Sequence, residues 1–204
     1  MTIHLHRGDL APGVDFGSAV AVDSETMGLA IGRDPLCVVQ LSAGDGDAHL
    51  VQLNRSTYDA PNLKALLTDP AVTKLFHFGR FDIAMFELHL GVTTGPVYCT
   101  KIASKLARTY TDRHGLKDLV KELLGVDLSK AQQSSDWGQA VLTAEQQTYA
   151  ASDVLHLHAL RTRLDAMLDC EGRADLARAS FEFLPWRARL DVAGWEAVDV
   201  FAHS

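Results

Sequence analysis

Four carboxylates and a tyrosine are the residues of this sequence whose types and spacing could do chemistry: Asp23, Glu25, Asp82, Asp153 and Tyr149. Asp23 and Glu25 close the strand-like run SAVAVDSE. Residues two apart on a strand point the same way, so these carboxylates share a face while Val22 and Ser24 take the other. Two carboxylates at the end of an apolar strand repel each other and lose hydration, and a divalent cation compensates for both. A solvated strand end explains the pair equally well, since the chain holds 26 acidic residues. Asp82 sits in FGRFDIAMF, just after the run TKLFHFG. Alone it reads as a first-turn carboxylate favoured by the helix dipole, yet ligand sites in α/β sheets also gather beyond the carboxyl ends of strands. Tyr149 and Asp153 lie four apart, hence on one helix face. That face continues into Leu157, Leu160 and Leu164, so Asp153 needs a partner, either an arginine or a metal. Carboxylates from two strand ends and a helix face can converge into a two-metal site, which binds the attacking and leaving oxygens of a phosphoryl displacement.

The elements that must position these groups follow from periodicity and punctuation. Strands are expected at 2–6, 18–25, 36–42, 49–54 and 73–79, with a short one at 96–99. AGDGD is a hairpin signal between the third and fourth. Helices are expected between Pro61 and Pro70, over 80–90, from about 100 to Arg108, and over GLKDLVKELLG, which ends at a glycine. Residues 125–142 read as mostly loop. Thr143 and Gln146 fit a capping box opening a long helix, whose stripe runs from Ala150 to Leu168. From about 171, two helical segments divided near Pro185 are expected. The order favours an α/β fold, a mixed β-sheet covered by α-helices.

Composition bounds the rest. At 204 residues, 47% hydrophobic and 22% charged, the chain suits one domain with a real core. A net charge of -7 argues against holding nucleic acid by bulk attraction alone, though carboxylates that bind cations reverse their charge locally. No apolar run approaches the ~18–20 residues of a membrane span, and the N-terminus does not read as a signal peptide. Cys37, Cys99 and Cys170 are widely spaced and odd in number, which fits neither a zinc pattern nor a disulfide scaffold. A cytoplasmic location is the expectation.

With these motifs in place, the sequence resembles the ribonuclease D family of 3'-5' exonucleases, the tyrosine-type branch of the DEDD superfamily. VDSETMGL carries Asp23 and Glu25, HFGRFDIAMF carries Asp82, and YAASD carries Tyr149 and Asp153; HGLKDL and SDW are further points of likeness. The resemblance implies a ribonuclease-H-like fold and two divalent cations, Mg2+ or Mn2+. Asp23 would bridge them, Glu25 and Asp153 would complete the site of the water-activating ion, and Asp82 would serve the other through water. Tyr149 would orient the attacking water. The implied partner is single-stranded RNA, with DNA as the alternative, bearing a free 3' end and releasing nucleoside 5'-monophosphates. Thr26, Met27 and Leu29 resemble the segment that meets the terminal nucleotide, with loop packing as the other reading. His77 and Phe78 could line the cleft, although an apolar strand residue such as Phe78 is more often core. His114 and Lys117 could approach phosphates at a helix start, with a solvated helix face as the other reading of Lys117. Trp137 either stacks a base or closes the fold.

Two departures stand out. The family often follows SDW with arginine and proline, whereas this chain reads SDWGQAVL. Only 39 residues follow Asp165, too few for the family's helical nucleic-acid-binding domains. The expected organisation is an exonuclease domain over 1–168 and a helical extension over 169–204 packed upon it. In that extension Phe181, Phe183, Trp186, Trp195 and Phe201 are expected to cover the core, with a homodimer surface on an otherwise monomeric protein as the other reading.

Overall fold

The computed structural model of the chain describes residues 1–128 and 135–203; part of the polar stretch read as loop, 129–134, lies outside them. Among the described residues six strands are formed, by Ile3–Arg7 (β1), Ala19–Thr26 (β2), Leu36–Ser42 (β3), Ala48–Gln52 (β4), Thr73–Phe76 (β5) and Val97–Cys99 (β6). They build one sheet in the order β1-β4-β3-β2-β5-β6. β2, β3 and β4 pair antiparallel, while β1 joins β4 and β5 joins β2 and β6 in parallel. All of β3 is buried, as its run LCVVQLS requires. The helices are Pro61–Thr68 (α1), Arg80–Leu90 (α2), Thr100–Ala107 (α3), Leu116–Leu124 (α4), Ala144–Val154 (α5), Leu157–Cys170 (α6) and Ala174–Leu190 (α7). The result is the expected mixed sheet flanked by helices.

The capping box at the start of α5 is present, with Gln146 N donating to Thr143 Oγ1 at 3.2 Å and Thr143 N donating to Gln146 Oε1 at 2.9 Å. The long helix expected beyond it is two helices. Leu155 and His156 separate them, and His156 takes φ -107 and ψ -4. The break lets α5 lie over β2, β3 and β4 while α6 packs on α3, α4 and β5. The division expected near Pro185 does not occur. Pro185 sits inside α7, where it cannot donate to the carbonyl one turn back, and the buried stripe Ala177, Phe181, Leu184 and Ala188 holds the helix together. The chain turns only afterwards, at a π-helical segment, Asp191–Trp195. Of the C-terminal aromatics, Phe181 joins the core against Tyr98, at 4.5 Å between ring centres. Phe183, Trp186, Trp195 and Phe201 are exposed by 37%, 59%, 47% and 76%, so they do not cover the core as expected.

Two buried charges tie the site-bearing elements to the rest. Asp191 accepts from Arg80 Nε at 2.6 Å and Nη2 at 2.7 Å, and pairs with Arg187 at 3.1 Å. Arg80 Nη2 also donates to the Glu196 carbonyl at 2.8 Å. The segment after α7 is thereby fastened to the first residue of α2. Lys74, fully buried on β5, donates to the carbonyls of Asp69, Val72 and Gly95 at 2.6, 2.7 and 2.8 Å. Burial brings its pKa down to about 8. Lys74→Met is expected to lower the free energy of unfolding by roughly 2–4 kcal/mol, because three partly buried carbonyls lose their donor. Urea denaturation measures this, and a loss below about 0.5 kcal/mol would mean that those carbonyls find other partners.

Candidate active site

β2 brings Asp23 and Glu25 to the site. Asp23 lies opposite Gln40 of β3, and the ladder slips between Glu25 and Thr26. Bulges of this kind bend a strand and re-aim its side chains. α5 crosses above and contributes Tyr149 and Asp153. Asp23, Glu25 and Asp153 each offer a carboxylate oxygen, and these oxygens lie within 4.8 Å of one another. Asp82 comes from the first turn of α2 and is buried, and Ser24 Oγ donates to its Oδ1 at 2.6 Å. Ser24, read from the sequence only as facing away from the acidic pair, thus links that pair to Asp82.

The electrostatics of this cluster are those of crowded acids that are partly or, for Asp82, almost fully withdrawn from water. Burial is the main cause in every case. It lifts Asp23 well above the usual carboxylate range, with Asp82, Asp153 and Glu25 adding to the shift. Glu25 rises to about 9, through burial and then through Asp153 and Asp82. Asp153 rises to about 7, held back by a hydrogen bond from the Tyr149 hydroxyl. Asp82 rises to about 6, held back by Ser24. Four such acids cannot all ionise near neutral pH without positive charge among them. Burial and the neighbouring carboxylates also raise Tyr149, so its hydroxyl keeps its proton and acts as a donor. An all-oxygen donor set of this charge fits a hard divalent cation.

The carboxylates line a cleft of about 560 Å³ together with Tyr149, Thr26, Leu29, His77, Phe78, Lys101 and Lys117. A larger hollow of about 680 Å³, between Arg7, Gln52, Arg55 and Gly138, has no acidic residue in its lining. Of the residues read as substrate-binding, Thr26, Leu29, His77 and Lys117 therefore face the cleft. Met27 does not line it; its sulfur accepts from Arg55 Nη1 at 2.8 Å. His114 does not line it either, and its Nδ1 is hydrogen-bonded to Ser104 Oγ at 2.8 Å. Trp137 is buried, its ring centre 6.1 Å from that of Tyr149, so it closes the fold and backs the tyrosine. Gly28 allows the loop after Glu25 to fold tightly, because a Cβ there would lie 2.2 Å from the Asp34 carboxylate.

Some neighbours escaped the sequence reading. Gln40 is fully buried, and its Nε2 lies 3.5 Å from Asp23 Oδ2. Its signal was a lone amide in an otherwise apolar strand. Lys101 lines the cleft, and nothing in its local sequence marks it. Of the two readings of Phe78, cleft lining and strand core, the structure bears out the first: β5 ends at Phe76, and Phe78 is 46% exposed in the cleft.

Fold and acidic cluster together define a class, the nucleases that gather carboxylates at the end of a mixed sheet. Residues 11–169 match the family described as 3'-5' exonuclease, and the chain belongs to that family. It is similar to NrnC of Brucella melitensis with bound Mg2+, at 53% identity and a TM-score of 0.95, over 100% of both chains. The likeness to the same protein bound to pGG is 54% identity, with a TM-score of 0.96 over 100% of both chains. Ribonuclease D of Acidiphilium cryptum (strain JF-5) is 38% identical over 156 residues, 76% of this chain and 39% of that protein. The chain thus spans about two fifths of the length of the ribonuclease D proteins it matches. The ribonuclease-H-like arrangement implied by the sequence resemblance is present.

Proposed function

We propose that this chain is a metal-dependent 3'-5' exoribonuclease that works from a free 3' end and releases nucleoside 5'-monophosphates. The observation that carries this reading is the convergence of Asp23, Glu25 and Asp153 within 4.8 Å inside a cleft, with Asp82 joined through Ser24. The relatives named ribonuclease D favour RNA over single-stranded DNA. The pGG bound by NrnC, a protein matched over its whole length, supports short strands as substrates, down to two nucleotides.

Two divalent cations, Mg2+ or Mn2+, would supply a nucleophilic water at neutral pH and neutralise charge on the phosphoryl oxygens. Asp23, with an amide beside it on β3, would be a ligand shared between them. Glu25 and Asp153 would complete one ion's shell, and Asp82 would serve the other. Tyr149, held by Trp137 behind it, keeps its proton and orients the attacking water. Lys117, at the start of α4, would meet a phosphate of the strand. Residues 1–168 form the exonuclease domain in this reading and 169–204 an extension packed on it through α7. No helix among the described residues is long and apolar enough to cross a membrane. Free cysteines, two of them buried, suit a cytoplasmic location.

RNA and DNA oligonucleotides labelled at the 3' or the 5' end, and a 5'-phosphorylated diribonucleotide, provide the test. The expected result is shortening from the 3' end in Mg2+ or Mn2+, stopped by EDTA and by a 3'-phosphate. Degradation in EDTA, or from the 5' end, would overturn the reading. Faster loss of DNA than RNA would select the DNA alternative.

A further inference from the structure

We propose that Phe78 and Lys101 form a nucleobase platform in the cleft, the ring of Phe78 stacking on a base and the Lys101 ammonium meeting the adjoining phosphate. This rests on the exonuclease reading above and names the part of the cleft that grips the strand.

Backbone geometry is the starting point. Phe78 has φ 68, in the left-handed region that residues other than glycine rarely adopt. A glycine that could take this conformation freely stands next to it, yet Gly79 keeps φ -61. Gly79 is needed for another reason: a Cβ there would lie 2.5 Å from the Phe76 ring. The strained conformation therefore falls on the aromatic residue. Such strain persists only where the surroundings enforce it, and it collects at ligand-binding positions.

The surroundings do enforce it. His77 Nδ1 is hydrogen-bonded to Thr100 Oγ1 at 2.9 Å, and Thr100 Oγ1 donates to the Phe76 carbonyl at 3.1 Å. These bonds fix the turn from both sides. Burial holds His77 neutral, bringing its pKa down to about 3. Lys101, the next residue of α3, places its Nζ 4.2 Å from the centre of the Phe78 ring. The ring is 46% exposed and lines the same cleft as the four carboxylates. Its outcome is a half-exposed aromatic with a cation against it, in a cleft otherwise lined largely by carboxylic groups. Base stacking on an aromatic ring tolerates any sequence, since every base has a π-face, and a cation beside it attracts the backbone.

The test uses 5'-phosphorylated diribonucleotides carrying 2-aminopurine at the first or the second position, with the full chain and its Phe78→Asn, Phe78→Leu, Phe78→Tyr and Lys101→Met variants. Asparagine accepts left-handed backbone, and leucine keeps apolar bulk without a ring, so one replaces the other if either fails to fold. In Mg2+, Phe78→Asn and Phe78→Leu are expected to raise KM by roughly 5- to 150-fold with kcat retained, while Phe78→Tyr keeps both. In Ca2+, 2-aminopurine fluorescence is expected to be quenched in one of the two positions by the wild type and by Phe78→Tyr, and to stay bright with the ring-free variants. Lys101→Met is expected to make the dependence of KM on salt shallower. The rise in unfolding midpoint on adding Mg2+ should be the same in all variants, which a collapsed site would not allow. Wild-type KM and wild-type quenching in the ring-free variants would overturn the platform. A wild type that quenches but hydrolyses nothing would instead overturn the exonuclease reading and leave the platform standing.

Discussion

Asp23→Asn is expected to abolish hydrolysis, by at least about 10³-fold in kcat, and at the same time to raise the unfolding midpoint of the metal-free protein. The first effect follows from the place of Asp23 among the converging oxygens, because a neutral amide cannot hold a bridging cation or its charge. The second follows from the same crowding. Burial and three neighbouring acids lift the Asp23 pKa well above the usual range, so the folded chain keeps that group protonated against its preference. Asparagine has no proton to hold against its preference, occupies nearly the same volume, and still offers an oxygen to Gln40. A domain of this size shifts by roughly 2–4 °C for each kcal/mol gained. Thermal melts in EDTA and a kcat measurement in Mg2+ decide it together. Retained activity would remove Asp23 from the mechanism, and a lower metal-free midpoint would mean that the repulsion is relieved by other means.

The stability of the metal-free protein is expected to fall as pH rises from about 5 to 9, and Mg2+ is expected to cancel that fall. Unfolded carboxylates titrate near pH 4, at about 3.9 for Asp and 4.3 for Glu. In the folded chain Asp82, Asp153 and Glu25 titrate at about 6, 7 and 9. Between these limits the folded state binds more protons than the unfolded state, so stability declines with rising pH. Below the unfolded values the cost is absent, and above the folded ones it is complete. A cation displaces those protons, so its affinity rises along the same scale. At a concentration of 100 times Kd it adds about 2.7 kcal/mol. Midpoints in EDTA and in Mg2+, recorded from pH 5 to 9, should therefore diverge as pH increases. A constant gap between the two curves would mean that the cluster does not give up protons on binding the ion.

Much of this site could be read from short-range rules. Asp23 and Glu25 share a side because a strand alternates, and Tyr149 meets Asp153 because a helix returns after four residues. Asp23 with Glu25 and Tyr149 with Asp153 were therefore readable as pairs and Asp82 singly, and the resemblance to a family gave them joint roles. What escaped depends on contacts made between distant segments. Ser24 belongs to the opposite side of β2 from Asp23, and only the docking of α2 turns it into the donor for Asp82. Gln40 matters because β3 pairs with β2 in one register. Phe78 had every local reason to continue its strand, since the glycine that usually absorbs a left-handed turn is its neighbour. Packing against the Phe76 ring uses that glycine for something else. Pro185 and the break at Leu155 and His156 teach the same point in helices, where burial of one face outweighed the local signal in the first case and redirected the axis in the second.

The link from Arg80 to Asp191 and to the Glu196 carbonyl has a consequence for timing during synthesis. A ribosome adds roughly 5–20 residues each second, and domains begin to fold as they emerge. Strands, carboxylates and the helix bearing Asp82 all leave the ribosome before Asp191 does. Until that residue emerges, Arg80 lacks its buried partner and the leading turn of the helix lacks its fastening. The contacts that fasten the first turn of α2 thus form after the strands and the acidic cluster have emerged. A chain built in this order completes the support of the helix that carries Asp82 only once residues 191–196 have emerged.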